Sequence, residues 1–101
     1  MIRVRFKTDD DARITGFHLS GHAGAGEYGQ DIVCAAVSSA AYMTANTILE
    51  IVNAPVSVSV QDGLMDLTVL SRIDNCQDIL SGFQLHLQAL AEQYPKRIQL
   101  N

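Results

Sequence analysis

The stretch Val56-Ser57-Val58-Ser59-Val60-Gln61-Asp62-Gly63-Leu64-Met65-Asp66-Leu67-Thr68-Val69-Leu70 decides the fold class. Valine alternates with polar residues as far as Gln61, the period of a strand with one apolar face. Asp62-Gly63 is a preferred two-residue type I′ hairpin turn. That turn sets Val60 opposite Met65, Val58 opposite Leu67 and Val56 opposite Val69, all apolar, with Ser59 facing Asp66 and Ser57 facing Thr68. A slip of one residue would carry the apolar set to the other face, so pattern and turn together specify the register. The hairpin reads as scaffold.

Upstream of the hairpin, the chain reads as helix from Asp31 to about Val52 and stops before Asn53-Ala54-Pro55. Its first turns are small (Ala35, Ala36, Ser38, Ser39, Ala40, Ala41), which suits close packing on a sheet or a partner. Downstream, Asp74 or Asn75 starts a second helix that runs to about Tyr94 and ends at Pro95. Ile79, Leu80, Phe83, Leu87, Leu90, Ala91 and Tyr94 form its buried stripe, with His86 facing solvent. Lys96 to Leu100 can close the fold as a short strand.

At the start of the chain Ile2, Val4 and Phe6 alternate with Arg3, Arg5 and Lys7, a half-buried strand. Thr8-Asp9-Asp10-Asp11 is a solvated turn without the ligand alternation of a calcium loop. A second strand follows from Arg13 to Ser20, with Phe17 and Leu19 on one face, Gly16 a candidate bulge, and His18 on the exposed side. The element order ββαββαβ predicts an α+β domain: two layers, a mainly antiparallel sheet with two helices on one face, over residues 1–101.

Composition narrows the function. The 101 residues suffice for one core and not two domains. A net charge of −4 offers no basic footprint for nucleic acid and suits a basic partner. No continuous apolar run reaches membrane-spanning length, and no signal peptide opens the chain. A reducing cytoplasm is the expected compartment, where Cys34 and Cys76 stay thiols. No cofactor and no metal are expected: the two cysteines and three histidines lack CxxC or HxxxH spacing, and the glycine-rich segment lacks the lysine and Ser/Thr of a phosphate cradle.

The chemistry concentrates between the second strand and the first helix. Asp31 as N-cap makes Cys34 the third helical residue, where the helix dipole favours a thiolate. His22 closes the preceding strand, and Gly24, Gly26 and Gly29 let the loop fold back as a cover. Cys34 and His22 then read as nucleophile and base, with the Cys34 amide an oxyanion donor, or else as a packing cysteine and a surface histidine. Asp31 either orients His22 or only caps the helix. Ser38, one turn beyond Cys34, either bonds near the thiolate or bonds back to its own helix. Glu27 and Tyr28 either touch substrate or anchor the loop. Cys76 also falls in a first helical turn, without a histidine on a preceding glycine loop.

The string Gly21-His22-Ala23-Gly24-Ala25-Gly26-Glu27-Tyr28-Gly29-Gln30-Asp31-Ile32-Val33-Cys34-Ala35-Ala36-Val37-Ser38 resembles the signature of the ribosomal-processing cysteine protease family, Prp. The resemblance implies a catalytic His22 and nucleophile Cys34; Gly21, Asp31 and Ser38 are the residues read beside them as supporting. It implies a small α+β fold, usually a homodimer, with a mobile loop over the dyad. The implied substrate is the N-terminal extension of a large-subunit ribosomal protein, removed before ribosome assembly. Ala25 departs from the bulkier residue usual at its position. Two rival readings stand beside it: a non-catalytic ribosome-associated binding module in which Cys34 only packs, and a thiol sensor in which Cys34 and Cys76 approach one another.

Overall fold

The computed structural model describes residues 1–24 and 31–101. Its strands are β1 (Ile2–Thr8), β2 (Ile14–Ser20), β3 (Val56–Gln61), β4 (Leu64–Val69) and β5 (Ile98–Leu100). The helices are α1 (Ile32–Asn46), continued by a π-helical turn over Thr47–Val52, and α2 (Gln77–Gln93). The sheet runs β3-β4-β2-β1-β5, antiparallel throughout except for the β1–β5 pair. The ββαββαβ order and the mainly antiparallel sheet are those expected from the sequence.

The hairpin register is also the expected one: Val60 pairs Met65, Val58 pairs Leu67 and Val56 pairs Val69. Its turn differs. Gly63 is left-handed (φ 71°), whereas Asp62 is absent from the residues of positive φ, so this is not a type I′ turn. An L-residue avoids the left-handed region at a cost, and this turn asks it only of the glycine. Burial along the hairpin differs as well. Met65, Leu67 and Val69 of β4 are buried, but Val58 and Val60 on the edge strand β3 are exposed, because the helices stop short of it.

The core lies between the sheet and the helices. Phe17, Val4 and Leu67 are fully enclosed with Val33 and Ile48 from the first helical segment and Leu80 and Leu87 from α2. Phe83 stacks edge-on against Phe17 and Phe6, with ring centroids 4.8 and 5.7 Å away, a geometry aromatic quadrupoles favour. Along α2 only Leu80, Phe83 and Leu87 of the expected stripe are fully buried, with Ile79, Leu90, Ala91 and Tyr94 packed at its margin.

The β-bulge falls one residue from its expected position. Lys7 pairs Gly16 and Thr8 pairs Ile14, which leaves Thr15 as the extra residue and returns Ile14 to the face of Phe17. Gly16 serves a different purpose: a Cβ there would run into the Leu67 backbone of β4. Gln77 completes the bulge, its side chain accepting from the Ile14 N–H and donating to the Ile14 carbonyl, both at 2.8 Å. The second helix also starts later than expected. A 3₁₀ turn over Ile73–Cys76 precedes it, and the Asp74 carboxylate pairs with Arg13 at 3.0 Å in place of capping. On the open sheet face His18 is half-buried, with Nδ1 2.7 Å from an Asp66 carboxylate that also takes Lys7 at 2.7 Å.

The first helical segment corrects one expectation. Its 21 residues, Ile32–Val52, have a mean hydropathy of 1.5 and are long and apolar enough to cross a membrane. Val33, Val37, Ala41, Ala45 and Ile48 are instead spent in the core, as in a helix that covers a sheet. Thr44 and Thr47 each bond back one turn, to the carbonyls of Ala40 and Met43, just where the helix widens. Left-handed Asn53 ends it.

Candidate active site

Asp31 stands at the N-cap in extended conformation, and its Oδ1 accepts from the amides of Val33 and Cys34, both at 3.0 Å. This is the predicted cap, and it makes Cys34 the third residue of α1. The Cys34 amide is thereby committed to Asp31, which removes it as the expected oxyanion donor. The sulfur faces the chain leaving β2, where the Ala23 N–H donates to it at 3.1 Å.

That exit from β2 is fastened at several points. Gly21 is left-handed (φ 90°), its N–H donates to the Gly63 carbonyl at 2.8 Å, and a Cβ there would strike the Met1 carbonyl. The Met1 amino group donates to the His22 carbonyl. Arg97, just before β5, donates to the carbonyls of Ala23 and Gly24 at 3.2 and 2.7 Å. No sequence pattern marks Arg97, because its contact spans more than seventy residues. Gly24 is left-handed (φ 67°). Gly26 and Gly29, with Ala25, Glu27 and Tyr28, lie outside the described residues.

His22 and Cys34 line one open cleft of about 460 Å³ between α1 and the β3–β4 hairpin. The imidazole leans toward the hairpin tip. Its Nε2 lies 3.9 Å from Asp62 Oδ1, and a Cβ on Gly63 would stand 2.8 Å from the same nitrogen. Among the described residues no hydrogen bond joins His22 to Cys34. Gly21 and Ser38 line the same cleft, and among the described residues Ser38 shows neither of its expected hydrogen bonds. Asp62 and Gly63, read from the sequence only as a turn, are thus part of the site.

The electrostatics also correct an expectation. Burial pushes the Cys34 thiol up, the neighbouring Asp31 carboxylate pushes it further, and the Ala23 N–H pulls it back only in part. The net effect favours the neutral thiol, against the thiolate expected at a helix start. Cys76 is fully enclosed and burial raises it too. Both cysteines are free, so no disulfide joins them.

The chain as a whole has relatives among known proteins. The family model for cysteine protease Prp matches residues 1–99. The chain belongs to the Prp family of cysteine proteases. The ribosomal processing cysteine protease Prp of Staphylococcus aureus strain Mu50 is 32% identical, covering 100% of this chain and 98% of that protein. The crystal structure of S. aureus Prp with a covalently linked product peptide matches with a TM-score of 0.93 at 32% identity, over 100% of this chain and 98% of the other. That of S. aureus Prp with a substrate peptide matches with a TM-score of 0.87 at 30% identity, again over 100% and 98%. The Prp fold therefore extends over the whole chain.

Proposed function

We propose that this chain is an endopeptidase that removes the N-terminal extension of a large-subunit ribosomal protein before ribosome assembly, using Cys34 and His22. The observation that carries the proposal is the shared cleft, with the Cys34 sulfur at a capped helix start on one side and His22 on the other. The S. aureus relative held with a covalently linked product peptide supports it.

In the free protein Cys34 waits as a thiol. Substrate binding turns the imidazole from the hairpin tip toward the sulfur, and His22 takes the Sγ proton as sulfur attacks the scissile carbonyl. The Ala23 N–H, already aimed at the sulfur, is the donor we assign to the developing oxyanion. His22 passes its proton to the leaving amine, and water, deprotonated by His22, then cleaves the thioester. The residues 1–101 act as one catalytic domain, paired as a homodimer in the cytoplasm. Exposed Met43, Leu49 and Ile51 on the first helical segment are apolar surface that a second copy would cover.

The test mixes the protein with the extended ribosomal protein and follows truncation by mass spectrometry. Cutting is lost in Cys34→Ala and His22→Ala and kept in Cys76→Ala. Undiminished cutting by Cys34→Ala overturns Cys34 as the nucleophile, and no cutting by the unaltered protein leaves the binding-module reading.

A further inference from the structure

The cleft continues well past the sulfur. From Cys34 the residues lining it on α1 are Val37 and Ser38, then Ala41 and Tyr42, the i+3/i+4 and i+7/i+8 positions of one helix face. Val37 and Ala41 form the buried floor, while Tyr42 stands up from it, 48% exposed. Val60 of β3 faces the same cleft from the opposite bank, also 48% exposed, and Met65 and Leu19 close the floor beneath. A valine and a tyrosine exposed on two sides of one trough, over a buried apolar floor, lack only the side chain that would fill the space between them.

The trough has a measurable offset from the chemistry. Eight helical residues separate Cys34 from Tyr42, roughly 12 Å along the axis at about 1.5 Å per residue. An extended peptide advances about 3.3 Å per residue, so a substrate residue at Tyr42 lies about three or four positions from the scissile bond. Asp62 stands by the imidazole at the other end, while Ser38 and Gln61 also line the cleft. Beyond the reacting groups the floor of the cleft is apolar.

We propose that Tyr42 and Val60 are the jaws of a specificity subsite for one bulky apolar side chain of the substrate, three or four residues from the bond cut. This rests on the assignment of Cys34 as nucleophile, since the offset is counted from its sulfur. The occupant is substrate because the trough is continuous with the reacting end. A second copy of the chain would have to block the approach to Cys34 in order to fill it.

The test uses peptides spanning the site cut in the extended ribosomal protein, each with one residue replaced by Ala, up to four positions on either side. With the unaltered enzyme, one apolar position three or four residues from the bond should change kcat/KM by about tenfold or more. With Tyr42→Ala that dependence should fall to about threefold or less, and the peptide already carrying Ala there should be cut equally by both enzymes. Tyr42→Ala puts a strong helix former on an exposed face, and Val60→Ser changes an exposed strand position, so both variants should fold. Equal slowing of every peptide by Tyr42→Ala, or no slowing of any, overturns the subsite. So does a change in sedimentation with discrimination intact, which would make the trough a subunit contact. Failure of the catalytic assignment reads out separately, as cutting by Cys34→Ala.

Discussion

Cys34 and Cys76 both stand where a helix begins, and burial raises both thiols. Their surroundings differ in every other respect. Ahead of Cys34 an Asp31 carboxylate holds the first free amides, and the sulfur meets a backbone N–H at the wall of an open cleft. Cys76 closes a 3₁₀ turn, has no side-chain cap at its helix, and is wholly enclosed in the core. Position at a helix start is therefore too weak a criterion for a nucleophile. Access and the group across the cleft separate the two.

The sharpest way to break the comparison is to change each sulfur to oxygen. Cys34→Ser should cost a thousandfold or more in cleavage, by analogy with loss of a nucleophile from a catalytic set, roughly the scale seen elsewhere. Its thermal midpoint should stay close to that of the parent. Cys76→Ser should do the reverse. A hydroxyl forced into an apolar core costs about 1–3 kcal/mol, and each kcal/mol lowers Tm by about 4–8 °C in a domain of this size. Scanning calorimetry beside a cleavage assay checks both. Equal activity losses would mean that the two helix starts are not functionally distinct.

A second test sharpens what lies opposite Cys34. Gly63 leaves room for the imidazole, and a Cβ there would sit 2.8 Å from His22 Nε2. Gly63→Ala should lower kcat by about tenfold to a hundredfold, the scale of misplacing a catalytic group by an ångström. Since Gly63 is also left-handed, Gly63→Asn separates the causes. Asparagine tolerates that backbone yet still brings a Cβ to the ring. A rate loss in both variants, with a smaller fall in Tm for Asn, marks displacement of His22. Full activity in Gly63→Asn would show that the hairpin tip does not seat the ring.

The same contrast explains what could be read from residues alone. The hairpin register, the Asp31 cap and the element order rest on local patterns, where side-chain period and turn chemistry point the same way. The family signature likewise lies in one unbroken string. Arg97 under the loop, Gln77 at the bulge and Asp62-Gly63 beneath His22 arise from contacts between distant segments, for which no spacing exists to be read. The second helix start misled for a related reason: Asp74 was drawn off by Arg13, a partner sixty-one residues away. The state of the thiol is not legible in the sequence because burial and the Asp31 carboxylate oppose the Ala23 N–H, and only the whole fold brings these together.

The smallest expected effect bears on that last opposition. Because the Cys34 thiol is raised, it stays protonated to higher pH than a free thiol, and its alkylation curve lies on the alkaline side. After burial, Asp31 raises it both as a hydrogen-bond partner and as a negative charge, against the pull of the Ala23 N–H. Asp31→Asn keeps a good N-cap, so α1 should hold within a few tenths of a kcal/mol. It removes the charge, so the curve for iodoacetamide should move toward lower pH and the rate near neutrality should rise a few-fold. Cys76 serves as the internal reference, since an enclosed thiol should react only on unfolding in both proteins. If Asp31→Asn leaves the Cys34 curve in place, the carboxylate does not set the charge on the thiol, and burial by itself holds the sulfur neutral. If the curve moves toward higher pH, the carboxylate had been favouring the thiolate through the helix it caps, and the signs argued here are reversed.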